Sequence, residues 1–139
     1  MNWLTWSLRS AVFAGATAIL SKIGVTGVDS NLATAVRTSV VLIFAWAVVP
    51  LTGPLGGVFT LSRRTLVFLV LSGLATGLSW LCYYRALQLG DASKVAPVDK
   101  LSVVFVLAFA AVFLGEALTA KSILGGSLIA AGAVVLALK

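Results

Sequence analysis

The chain has 139 residues and contains no histidine, one cysteine, three prolines and four acidic residues. Without histidine, imidazole acid–base chemistry and histidine metal ligation are excluded. A single thiol, Cys82, makes neither an intrachain disulfide nor a zinc site. It lies in an apolar run and is expected to be a buried, inert thiol. Only 10% of residues are charged, against 60% apolar, and the mean hydropathy is +1.12. A soluble domain this small needs a charged shell, because most of its surface faces water. Globular domains carry about 25% charge. So little charge makes the bilayer part of the solvent.

What is present is five apolar stretches, near 3–25, 32–51, 65–89, 96–115 and 122–138. Each is long enough to cross about 30 Å of hydrocarbon as a helix, and backbone groups in lipid must bond within their own segment. Runs such as residues 103–114 do not alternate as barrel strands do. The predicted fold is therefore an all-α integral membrane bundle of five helices, read as one domain over 1–139. Breaks fall at 24–30, at Pro50, Gly53, Pro54, Gly56 and Gly57, at Gly90-Asp91-Ala92-Ser93, and at 115–119. No connecting stretch is long enough for a separate soluble module. Ala14-Gly15-Ala16 and Ala16-Thr17-Ala18 resemble cleavage sites, but no basic residue precedes the apolar run, and retention of the first span is expected.

The net charge is +6. No run of like charge exceeds Arg63-Arg64, so basic loops beside anionic lipid account for it and nucleic acid is not an expected partner. Five spans place Arg9, Arg63, Arg64, Lys121 and Glu116 toward one side. Lys22, Arg37, Arg85, Lys94, Lys100, Lys139, Asp29, Asp91 and Asp99 lie toward the other. Each side then carries +3. The positive-inside rule gives no orientation from such a balance. Copies inserted both ways up, paired as an antiparallel homodimer of ten helices, would give the inverted symmetry that transporters commonly carry within one chain.

Charges within spans are functional candidates by default. Arg37, Arg85, Asp99 and Lys100 qualify, with snorkelling to the interface as the structural alternative for the three cations. Lys100 follows Asp99 directly and points about 100° away around a helix. An interhelical pair of Asp99 with Arg85 or Arg37 is therefore expected, either structural or opened by a competing charge. Trp80 with Tyr83 or Tyr84 would line a polar cavity or stack on a cation, unless they form an interfacial belt. Trp3 and Trp6 are expected to anchor the first span.

Gly73 and Gly77 form G-x-x-x-G, and Gly125, Gly126 and Gly132 crowd the last span, all expected to serve close helix packing or dimer contact. Pro97 is expected to open the fourth span, where its missing N–H costs nothing. Glu116 is read as structural, bonding the start of the last span or pairing with Lys121.

The runs Tyr83-Tyr84-Arg85-Ala86-Leu87, Asp91-Ala92-Ser93, Phe113-Leu114-Gly115-Glu116, and Leu124-Gly125 to Ala130-Ala131-Gly132 together resemble the EamA-like domain of the drug/metabolite transporter superfamily. Arg37, early in the second span, matches that family's habit. The resemblance covers essentially the whole chain and is closest to a short five-span bacterial and archaeal subgroup. It implies a secondary transporter, not an enzyme, in the cell membrane. By alternating access as a homodimer, it would move a small polar or amphipathic metabolite, of amino acid, metabolite or drug type. Arg37, Trp80, Tyr83, Tyr84, Arg85, Asp99 and Lys100 would then bind or gate substrate. The family often carries a proline near Ser102 or Val103, whereas here it stands at Pro97. The related small multidrug resistance proteins use a glutamate in their first helix, and this first span has no acid, so their antiport mechanism does not carry over. No nucleotide-binding loop, cofactor or metal is expected. The competing reading is a non-transporting membrane subunit packed against a larger partner.

Overall fold

The computed structural model describes residues 2–53 and 55–138. Pro54 and Lys139, used above as a chain break and a side-two charge, lie outside them. The described residues form helices and connecting turns with no strand: α1 (Trp3–Gly24), α2 (Ser30–Thr52), a 3-10 turn (Leu55–Thr60), α3 (Arg63–Leu89), α4 (Ala92–Asp99), α5 (Ser102–Phe109), a π-type turn (Ala110–Leu114) and α6 (Ala120–Ala137).

Four helical stretches are long and apolar enough to cross a membrane: Ser30–Thr52, Arg63–Leu89, Ala92–Leu114 and Ala120–Ala137. α1 is as long as these but is not among them. Thr5, Ser7, Arg9 and Ser10 crowd its first half and dilute its apolar content. Large apolar side chains are exposed along all the long helices, Phe44, Leu78, Val106 and Leu128 among them. In water each unit would expose more large apolar side chains than soluble monomers carry. In a bilayer they form the lipid-facing surface.

The chain separates into two compact units, residues 21–88 and residues 1–20 with 89–139. In the first, the packed core sits at one end. Val25 and Leu87 are fully buried, with Ser21, Ser30, Thr34 and Tyr84 around them. Ser21 and Val25, like Ser30 and Thr34, lie four residues apart, and Tyr84 and Leu87 three apart, the spacing of one helix face. Asp29 starts α2 by accepting hydrogen bonds from the amides of Asn31 (2.9 Å) and Leu32 (3.0 Å). The last turn of α3 is held by Lys22, whose Nζ donates to the Leu87 carbonyl at 2.6 Å, satisfying an acceptor the helix end leaves open. Gln88 donates through Nε2 to the Val28 carbonyl at 2.5 Å and accepts from Arg85 Nη1 at 2.9 Å. Pro50, expected as a break, lies inside the last turn of α2, which runs on to Thr52.

In the second unit the fourth apolar stretch is not one helix. It starts at Ala92, earlier than expected, so Pro97 stands in the interior of α4 and not at its start. There it cannot donate to the Ser93 carbonyl, and its ring crowds that turn. Downstream the bonds tighten to the i−3 pattern: Lys100 N–H to Pro97 O (3.0 Å), Leu101 to Val98 (3.0 Å), Val103 to Lys100 (3.0 Å) and Val104 to Leu101 (2.9 Å). α4 ends at Asp99 and α5 resumes at Ser102.

The stretch closes with Gly115 at φ +69, a left-handed conformation glycine adopts without cost. The Glu116 N–H then returns to the Ala110 carbonyl at 3.2 Å. Among the described residues of its unit the Glu116 carboxylate makes no ion pair, Lys121 included. α6 starts with a reciprocal cap: Thr119 Oγ1 accepts from Ser122 N–H (3.1 Å) and Ser122 Oγ from Thr119 N–H (2.9 Å). Gly126 is the glycine that packing requires, since a Cβ there would stand 2.7 Å from Leu107 Cδ1. At Gly73, Gly77, Gly125 and Gly132 a Cβ would meet no described atom within 4 Å, so these four do not serve a close helix approach within their own units.

Candidate functional site

Arg37 lies two turns into α2 on the stripe of Ser30 and Thr34. At 1.5 Å per residue, the seven residues from Ser30 put its Cα about 10 Å along the helix. Trp80 and Tyr84 stand one turn apart on α3, so both rings project from one face. The guanidinium carbon of Arg37 sits 4.0 Å from the Trp80 ring centroid and 5.7 Å from that of Tyr84. Both distances are within the range where a cation is drawn to the negative face of a π system. Arg37 and Trp80 are half-buried and Tyr84 is buried.

Tyr84 is fixed from behind. Its hydroxyl is 2.8 Å from Ser21 Oγ, a buried contact between residues 63 positions apart. A buried tyrosine hydroxyl needs a polar partner, and Ser21 supplies it. The site is thus a cation laid on two rings, one of them locked by a third helix. Within residues 21–88 the guanidinium meets these faces and no carboxylate. The one acid of that unit, Asp29, is occupied by the α2 amides. A guanidinium has five N–H donors, and stacking uses none of them.

Asp99 and Lys100 form the second group. Lys100 Nζ is 3.1 Å from Asp99 Oδ2, with the two side chains 56% and 36% exposed. Asp99 is thus paired with its sequence neighbour, while Arg37 and Arg85, the partners expected between helices, belong to the other unit. The expectation assumed a regular helix, which splays adjacent side chains. Here α4 ends at Asp99, and the turn lets the long lysine stem fold back. Counted from Ala92, Asp99 is about 10 Å along the stretch, deeper than a start at residue 96 implied.

The other residues singled out from sequence divide plainly. Tyr83 is half-buried, while Tyr84 is the tyrosine that meets Arg37. Arg85 is exposed and bonded to Gln88. Cys82 is exposed, not buried as expected. An apolar run marks lipid contact here, not a protein core. Arg9 lies over Trp6 at 5.4 Å, as a snorkelling arginine beside an anchoring indole does. Ser21, Lys22 and Gln88 were missed. Each is one common polar residue, and its partner is about sixty residues away, so no local pattern reveals it.

Residues 1–138 match the EamA-like transporter family. A Sinorhizobium protein described as an uncharacterized transporter in the cobO 3'region is 51% identical over 136 residues, covering 98% of this chain and 96% of that one. No solved structure matches the chain. With apolar helices long enough to cross a bilayer several times and a family match over nearly every residue, the chain belongs to the EamA-like transporter family of multi-pass membrane proteins.

Proposed function

We propose that the protein is a secondary transporter that carries a small polar or amphipathic metabolite across the cell membrane by alternating access, and that it has no enzymatic activity. The observation that carries this is the Arg37–Trp80–Tyr84 cluster, a guanidinium with no carboxylate of its unit beside it, two turns into a helix long and apolar enough to cross the membrane. Charge at that depth is costly, and sequences keep it where it meets a substrate or a relay. The family and the relative described as a transporter support the same reading.

Five spans complete the proposal. α1, at 22 residues, is about 33 Å long and reaches across about 30 Å of hydrocarbon. Arg9 and Trp6 suit its interfacial end. The interrupted stretch Ala92–Leu114 supplies an element with two arrangements, because non-helical backbone at membrane depth is tolerated where it faces protein or a cavity. The Asp99–Lys100 pair at that break would open and close with it.

The working unit is a homodimer, with copies oriented oppositely because neither side of the chain carries excess charge. Gly73 and Gly77, uncovered within residues 21–88, would be available to a second copy.

The test is flux. Purified protein in proteoliposomes is given a panel of labelled organic acids, amino acids and organic cations under imposed proton or sodium gradients. Saturable, gradient-responsive flux of at least one class is expected, and it falls to background with Arg37→Gln. Folded protein with no flux, recovered only together with a different membrane chain, would replace the proposal with a subunit role.

A further inference from the structure

We infer that the Arg37–Trp80–Tyr84 cluster is an oxyanion site, so that the transported class is a small organic anion that enters with its carboxylate or phosphate on Arg37. This rests on the transport reading above and deepens it by naming the substrate's charge.

Four observations converge. First, the guanidinium carbon lies 4.0 Å from the Trp80 centroid and 5.7 Å from that of Tyr84, and among the described residues it makes no ion pair. Ring carbons accept no conventional hydrogen bond, so the planar fork of donors remains to match two oxygens of a carboxylate or phosphate. Second, the rings cannot take a substrate cation on the faces that Arg37 occupies. Third, residues 21–88 contain five basic residues and one acid, and that acid is bonded to the amides of Asn31 and Leu32. No carboxylate of this unit stands ready to meet a substrate ammonium. Within residues 21–88, the ammonium of a zwitterion or of a cationic drug would meet no carboxylate other than the α2-capping Asp29. Fourth, the platform is pre-set. The Ser21–Tyr84 hydroxyl pair (2.8 Å) fixes one ring, while Lys22 and Gln88 hold the end of α3 that carries it. A pre-arranged donor set loses less on binding than a flexible one.

The cation–π arrangement also provides the readout, because an anion that draws the guanidinium alters the surroundings of Trp80. With Trp3, Trp6 and Trp46 replaced by Phe, Trp80 is the sole indole. Its fluorescence is titrated in phosphatidylcholine vesicles with benzoate, inorganic phosphate and benzylamine. A saturable change with benzoate or phosphate and none with benzylamine is expected. With Arg37→Gln the apparent affinity falls roughly tenfold or more, the scale of lost hydrogen bonds to a charged group. Arg37→Lys, which keeps the charge but not the fork, gives an intermediate value.

Adding phosphatidylglycerol to the vesicles separates the two sources of phosphate. If the lipid alone saturates the signal and free anions add nothing, the site holds a lipid headgroup and the substrate class is overturned. Equal response to benzylamine, or an unchanged response in folded Arg37→Gln, overturns the oxyanion site itself. Anion binding without flux of any compound leaves this site standing and removes transport. Flux of a cation that survives Arg37→Gln does the reverse.

Discussion

In residues 21–88 a cation rests on two aromatic rings with no acid of that unit beside it. In the other unit a carboxylate and an ammonium sit side by side where a helix is interrupted. Both solve the problem of charge in an apolar chain, by different physics. Stacking satisfies the arginine's face and leaves its donors available, and the surrounding bonds fix the rings. Neighbour pairing satisfies both charges but depends on a turn that a regular helix would not permit. The first arrangement suits binding, which needs a rigid platform with unspent hydrogen bonds. The second suits movement, because straightening the helix separates the pair.

The contrast breaks most readily at Arg37. Arg37→Gln removes the charge and the fork but keeps most of the stem, so flux in proteoliposomes is expected to fall roughly tenfold or more. The thermal midpoint in detergent should move little, since stacking at a half-exposed site is worth only about 0.5–2 kcal/mol.

The second test is Pro97→Ala. It restores an N–H to the α4 interior, where proline costs about 3 kcal/mol against alanine. Expected is a higher thermal midpoint together with several-fold slower flux. Faster flux at raised stability would show that the interruption is not the moving part.

A smaller effect is expected from Tyr84→Phe. The stacked ring remains, but Ser21 Oγ loses its buried partner, a cost of about 1–3 kcal/mol in unfolding measurements. Substrate affinity should weaken less than in Arg37→Gln. The smallest expected stability change is at Asp99→Asn, within about 1 kcal/mol because both partners are more than a third exposed. Its expected consequences are altered flux and an altered response to the imposed ion gradient. If Asp99→Asn and Asp99→Ala both left these unchanged, the carboxylate would have no part in coupling.

Glycine sharpens the comparison from the packing side. Gly126→Leu should destabilise the second unit, since even a Cβ there stands 2.7 Å from Leu107. Gly73→Leu meets nothing within residues 21–88, so any change it causes should show in the oligomeric state by crosslinking and not in the fold of that unit.

Much of this was legible before the fold was known. The scarcity of charge identified the solvent, and long apolar runs located the helices to within a few residues. The sequence marks Arg37, Trp80 and either Tyr83 or Tyr84 as candidates, but it pairs Arg37 with Asp99; that Arg37 meets Trp80 and Tyr84 comes from how α2 packs on α3. Ser21 could not be found that way, because its link to Tyr84 is set by how α1 packs on α3. The interruption after Asp99 was missed because the helix start was placed at residue 96, which turned an interior proline into a harmless first-turn one. Four residues more of helix, from Ala92, change what Pro97 does and how Asp99 and Lys100 lie. Cys82 failed for a different reason: an apolar neighbourhood means burial in water but exposure in lipid.

The most direct test compares wild type and Arg37→Gln in parallel proteoliposomes, measuring initial uptake of a labelled organic acid, with circular dichroism confirming equal helix content. The account predicts saturable uptake by wild type and uptake at the empty-vesicle level by Arg37→Gln. Equal uptake by the two, at equal helix content, would contradict it.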